Sequence, residues 1–226
     1  MFIYRPTTLD ATFRYLWRKN VGPGGTNINH HDSDLEFTRG YSTTNMAAFS
    51  TGDIISAGNW YITFFVDGGV GVAPRIYHAQ LGNTLTEPSY AQQDTPVGTL
   101  GTDASASALV GFRDSTRRFI GDIAVVSVWE EVLSLGQCKA QYYRVALTAN
   151  FRLYCHLGYA GTGTQPDWSG NFNSGAVTGA TVAPHVSLGP SFGFDSDWQG
   201  AFTAAVGGLS IPVAMNSYRQ RYQSVV

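Results

Sequence analysis

Apolar and polar positions alternate in short runs along most of the chain. The runs are "FIYR" (2–5), "TFRYLW" (12–17), "LEFTR" (35–39), "WYITFFVD" (60–67), "RIYHAQ" (75–80), "SALVGFR" (107–113), "RFIGDIAVVSVW" (118–129), "NFRLYCHL" (150–157) and "SGAVTG" (174–179). A period of two with aromatic and β-branched residues predicts half-buried strands. The segments between them carry turn chemistry: "GPGG", "DGG", "LGN", "RDSTR" and "SGNFNSG" supply residues that tolerate positive φ. Short strands at this spacing predict an all-β fold of two stacked antiparallel sheets, a jelly-roll sandwich. One segment breaks the rhythm. "LSLGQCKAQYYRVAL" sets Leu135, Cys138, Tyr142 and Val145 on one helical face behind Ser134, a good N-cap. This predicts a single short helix over about residues 134–146, covering one end of the sandwich.

After residue 185 the pattern changes. Residues 186–226 are too apolar and aromatic for a solvated tail, with Phe192, Phe194, Trp198, Phe202, Leu209 and Ile211, yet have no dominant period. We expect a C-terminal arm that completes a sheet or docks on another subunit. Its end, "NSYRQRYQSVV", combines Tyr218, Arg219, Arg221 and Tyr222, residue types favoured at interfaces; these are the candidate partner contacts.

Composition narrows the function classes. The chain has 226 residues and a formal net charge of −2, so no basic footprint for nucleic acid is present. Lysine occurs only at Lys19 and Lys139 among 14 basic residues. Such scarcity suits a surface covered by neighbours, since lysine is depleted at interfaces, although compositional bias explains it equally. The opening residues lack a signal-peptide pattern, and "FTAAVGGLSIPVAM" (202–215) is too short and broken to span a membrane. Cys138 and Cys155 lack metal or redox spacing and read as buried free thiols. These features predict a chain that folds in a reducing cytoplasm, with no membrane partner.

Two connected stretches carry a family likeness. "RFIGDIAVVSVWEEVLSLGQCKAQYY" places Phe119, Gly121, Ile123, Trp129 and "VLS" (132–134) as a strand, turn and small helix start. "RLYCHLGYAGTGTQPDWSGNFNSGAVTGATVAPH" adds Tyr154, Leu157, Asp167, Ser169, Gly170, Asn171, Gly175, Gly179 and Ala180. With "GNWYITFFVDGG" and "FIYRPTTLDATFRYLWRKN", the chain over residues 2–185 resembles the laminin-G-like branch of the concanavalin A-like lectin/glucanase superfamily. The resemblance implies that residues 1–185 form the β-sandwich without the usual first strand or strands. An uncovered sheet edge would follow, and residues 190–226 are expected to cover it. Position 125 is Val where the family often has an acid.

The chemically richest stretch is "HHDSDLEF" (30–37). On one strand Asp32, Asp34 and Glu36 would share a face, with Leu35 and Phe37 on the other. Glucanases of the superfamily carry an acid-apolar-acid-apolar-acid strand, but here the first acid is Asp and one core-side position is Ser33, so no catalytic residue is assigned. Asp32 and Asp34, with the Asn27/Asn29 loop, are weak calcium candidates; zinc at His30/His31 has no distinctive spacing. No resident metal or cofactor is expected. His78, His156 and His185 are isolated and read as packed or surface imidazoles. Trp168 is the candidate for stacking on a sugar ring.

Three function classes remain. Stand-alone domains of this kind resemble virion proteins of tailed phages, so the first expectation is a non-enzymatic structural protein, a capsid decoration or tail accessory. It would fold in the host cytoplasm, self-associate and contact capsid or tail subunits. The second is a glycan-binding module for host-surface adhesion, and the third a β-glucan hydrolase.

Overall fold

The computed structural model describes residues 1–19, 24–102, 106–143, 150–157 and 163–183. All belong to one compact unit, Met1–Val186; Ser187–Val226 is a separate unit. In chain order the first unit forms β1 (Phe2–Pro6), β2 (Arg14–Lys19), β3 (Thr26–His31), β4 (Asp34–Arg39), β5 (Met46–Ser50), β6 (Tyr61–Val66) and β7 (Arg75–Gln80). Then come β8 (Tyr90–Asp94), β9 (Leu109–Val110), β10 (Gly121–Trp129), α1 (Leu135–Tyr142), β11 (Phe151–His156), β12 (Gly163–Gln165) and β13 (Gly175–Val177). Two antiparallel sheets stack as the expected sandwich. One has the order β11-β10-β1-β6-β7, the other β8-β5-β4-β3-β2-β9, and β12 and β13 make a separate ribbon.

Alternation explains the core. Phe2, Tyr4, Tyr61, Ile76 and Val126 face inward from the five-stranded sheet, and Leu16, Ile28, Leu35, Phe37, Met46 and Ala48 from the six-stranded one. Phe65 bridges the layers, meeting Phe2 at 6.2 Å and Phe37 at 5.6 Å edge-on. In β2 a register shift between Tyr15 and Trp17 lets both Leu16 and Trp17 reach this core.

The helix starts where the sequence places it. Ser134 accepts from the Gln137 backbone N–H, and the Gln137 side chain returns a bond to the Ser134 backbone, completing a capping box. Its described turns end at Tyr142, and Val145 lies outside the described residues. It covers a face rather than an end. Cys138 and Tyr142 are buried, the Tyr142 hydroxyl accepts from Gly82 N–H at 2.9 Å, and Cys138 lies close to Met1 and Tyr77. Met1 and Tyr77 belong to the outer face of the five-stranded sheet, where Ile3, Ile62, Phe64 and Val125 are also buried. That face is apolar in both directions from β1, which is why the sheet needs a third layer and why Val, not an acid, stands at 125. Cys138 and Cys155 are unbridged and buried.

β1 is a central strand, paired with β10 on one side and β6 on the other. The outer edge of β11 is sealed by the turn at 167–173. Trp168 N–H donates to Tyr154 C=O at 2.8 Å, and the Asn173 side-chain amide to Arg152 C=O at 2.7 Å. The expected edge cover, residues 190–226, lies outside the described residues.

Candidate functional site

Because Leu35 and Phe37 point into the core, Glu36 points out, and the strand register carries that position across the sheet. Tyr15 on β2 pairs with Asn29 on β3, Asn29 with Glu36 on β4, Glu36 with Phe49 on β5, and Phe49 with Gln92 on β8. At about 4.8 Å per strand this row runs about 19 Å across the outward face. A second row, Arg18, Asn27, Thr38, Ala47 and Asp94, lies beside it. The face thus offers an amide, a carboxylate, an aromatic ring and a second amide in line.

The middle of the row is unusual in its bonding. Asn29 is only 3% exposed, and its side-chain carbonyl Oδ1 has no hydrogen-bond partner. A buried polar atom without a partner costs about 1–3 kcal/mol, and His30 Nε2, Arg39 Nε, Ser127 Oγ and Trp129 Nε1 are buried in the same way. The Asn29 amide instead donates to Glu36. Burial raises the Glu36 carboxyl above its ordinary range, with the charge on His31 and the Asn29 bond acting the other way. In the next row Arg18 Nε is likewise buried and without a partner. Phe49 is half-buried, whereas Tyr15 is buried, with Arg113 bonded to its hydroxyl at 2.6 Å and stacked over its ring.

The three acids of the richest stretch do not share a strand. His31 and Asp34 pair directly, so Asp32 and Ser33 form a two-residue hairpin turn between β3 and β4. Asp32 adopts φ of 50°, as a tight hairpin requires at its first central position. This corrects the expected three-acid strand face: Asp34 and Glu36 remain on it, and Asp32 leaves at the tip. Ser50 donates to Asp34 at 3.4 Å, and Ser33 donates to Asp53. Burial, then the neighbouring Asp53 charge, raises the Asp34 carboxyl. As calcium candidates, Asp32 and Asp34 therefore lie on the turn and the first strand position respectively. Among the described residues no group of three His, Cys, Asp or Glu side chains is placed to hold a metal ion.

Trp168 sits elsewhere. Its turn is built on Asp167, whose carboxylate accepts the backbone N–H groups of Tyr154 (2.9 Å), Ser169 (2.9 Å) and Asn173 (3.0 Å), and the Ser169 hydroxyl at 2.8 Å. Burial pushes this carboxyl up, but those bonds outweigh it and hold it low. The turn displays Trp168 at 57% exposure and Phe172 at 92%, the latter at φ of 57°. It borders β11 on the five-stranded sheet, so the fold does not bring Trp168 into the Asn29 row. Tyr218, Arg219, Arg221 and Tyr222 lie outside the described residues, as does His185.

His30 and His78 are core residues. His78 Nε2 donates to Ile54 C=O (3.1 Å) and its Nδ1 meets the Thr63 hydroxyl (2.7 Å), and His30 Nδ1 donates to Asp32 C=O at 3.2 Å. His156 contacts the Tyr154 hydroxyl at 2.6 Å. The Asn29 row escaped sequence reasoning because "TNINHH" is so polar that its strand period is hidden. The available signal was the lone Ile28 flanked by Asn at 27 and 29. No protein-family model matches the chain, and no curated protein matches it.

Proposed function

We propose that the protein is a non-catalytic β-sandwich module that binds a saccharide on the outward face of its six-stranded sheet. The observation that carries this reading is the run of Glu36, the half-buried ring of Phe49 and the exposed Gln92 on neighbouring strands of the outward face. A sugar hydroxyl donates to Glu36, a second donates to the side-chain carbonyl of the exposed Gln92, and Phe49 offers a ring for a pyranose face. A non-catalytic role is favoured over hydrolysis by the loss of Asp32 from the strand, which leaves no row of three acids facing a cleft. Purified full-length chain on a glycan array is expected to retain a restricted set of glycans. Uniform blanks would remove this reading, and release of reducing ends from β-glucan would replace it with the hydrolase.

Assembly into a virus particle is the second reading, as a capsid decoration or tail accessory held by its sandwich edge and C-terminal arm. The scarcity of lysine and the 92% exposure of the Phe172 ring support it. Mass spectrometry of purified particles is expected to find the chain at a fixed copy number; its absence there would end this reading. The two readings are compatible, since an adhesion module can ride on a particle.

A further inference from the structure

Most described arginines close on a carboxylate, as Arg5 does on Asp122 and Arg39 on Asp67, both at 2.7 Å. Among the described residues Arg18, Arg117 and Arg118 form no ion pair, and Arg113 has only Asp114, at 3.6 Å. All four stand at one corner, where β2 and β9 close the six-stranded sheet. Arg18 projects outward, because its pair Asn27 shares a face with Thr38, one position from the inward Phe37. Arg118 bridges to Tyr15, so those two side chains share the outward face, and the next residue, Phe119, packs on the core. Arg113 lies over the Tyr15 ring, 5.1 Å from its centroid, and donates to its hydroxyl. Arg18 Nη1 reaches towards the Arg113 carbonyl, at 3.5 Å. Three arginines therefore surround Tyr15, at the end of the outward row. The loop that presents two of them is fixed. Asp114 accepts the backbone N–H groups of Thr116 (3.0 Å) and Arg117 (2.9 Å), and Arg14, held by Asp10, donates to Thr116 C=O at 2.9 Å.

We propose that this corner binds the acidic group, a carboxylate or a sulfate, of an anionic saccharide whose chain continues along the outward face towards Phe49. The proposal rests on the saccharide reading and adds to it the charge class of the ligand. Arginine presents paired N–H donors in the plane that carboxylate and sulfate oxygens require. Guanidinium groups gathered without counter-charges repel one another, and an anion among them relieves that repulsion. The chain as a whole is at −2, so the positive charge is local to this corner. From β2 to β5 the face spans three strand spacings, about 14 Å, the reach of a short oligosaccharide rather than of one ring. Glu36 stands on that path, two strands from Tyr15, and repels a second acidic group beside it. The acid therefore belongs at one end of the bound stretch. A nucleic acid, charged at every unit, would set a phosphate against Glu36.

An array of sialylated, uronate-containing, sulfated and neutral glycans, probed with the full-length chain, is expected to retain mainly acidic members. The class retained tells carboxylate from sulfate. Affinity for the best-retained acidic glycan is expected to fall at least about tenfold with Arg18→Gln/Arg118→Gln. It should also weaken about threefold or more when sodium chloride is raised from about 0.05 M to about 0.5 M. Arg118→Lys, which keeps the charge, should bind more tightly than Arg118→Gln, and Arg75→Gln, on the five-stranded sheet, should match the unaltered chain. Arg118 is exposed, so Arg118→Gln alone reads the site should the double variant fail to fold. Retention of neutral glycans alone overturns the proposal and leaves the saccharide reading standing, whereas uniform blanks remove both. Acidic glycans held equally well by the arginine variants also overturn it. So does single-stranded DNA held as tightly as the glycan, which would make the corner a general polyanion site.

Discussion

Single residues in this chain divide between those that hold the fold and those that spend stability. His30 is fully buried and His78 is 7% exposed, and burial pushes both imidazoles down to about 4. An unfolded imidazole titrates near 6.5. Between those values the unfolded chain takes up protons that the folded chain refuses, so stability is complete above about pH 6.5 and falls as the pH drops towards 4. Urea midpoints at pH 7 and pH 4 should differ by up to about 3 kcal/mol per histidine, and His30→Phe should remove its share of the difference. At the Asp167 turn, Asp167→Ala abandons three backbone N–H groups and should cost about 2–3 kcal/mol. Phe172 is held at positive φ with its ring in water, so Phe172→Gly should raise stability by about 0.5–1 kcal/mol in the same assay. Asn29→Val deletes the unpartnered carbonyl but also the donor to Glu36, so it should lower stability by about 1 kcal/mol at pH 7 in the same assay. Residue-level legibility was uneven. The inward direction of Leu35 and Phe37 followed from alternation, but Asp32 resembled a strand residue because a two-residue turn without glycine carries little local signal.

Elements with a strong period were legible and those with polar periods were not. β7 forms over the full run "RIYHAQ", and α1 begins at its capping box. β3, β5 and β8 were not foreseen: "TNINHH", "MAAFS" and "YAQQD" are too polar, too small or too edge-like for periodicity to single out. The predicted helix covers the outer face of a sheet rather than an end of the sandwich, because both faces of β1 and β6 are apolar, a fact visible only once the sheet order is known. Ser134→Ala removes the cap and should cost about 1 kcal/mol. Gly121 is the tightest element junction. Its φ is 150°, and a Cβ there would lie 2.1 Å from the Arg5 carbonyl oxygen, where β10 begins its pairing with β1. Gly121→Ala should therefore lose at least about 3 kcal/mol in urea denaturation, because the obstacle is backbone in the central strand pair.

At the scale of the molecule, the sandwich was legible because its evidence is spread over many strands, each weak alone and consistent together. The candidate site was not, because it arises from register: Tyr15, Asn29, Glu36, Phe49 and Gln92 are far apart in sequence and meet only when the strands pair. The same register that lines up this row leaves its last member, Gln92, on the open edge. The account stands or falls on the Glu36, Phe49 and Gln92 face. Titration calorimetry with the best-retained glycan tests it most directly, on the unaltered chain, on Phe49→Ala and on Trp168→Ala. The account predicts at least about a tenfold loss of affinity for Phe49→Ala, with Trp168→Ala unchanged. Affinity that survives Phe49→Ala and disappears with Trp168→Ala would contradict it, placing the sugar on the turn beside β11.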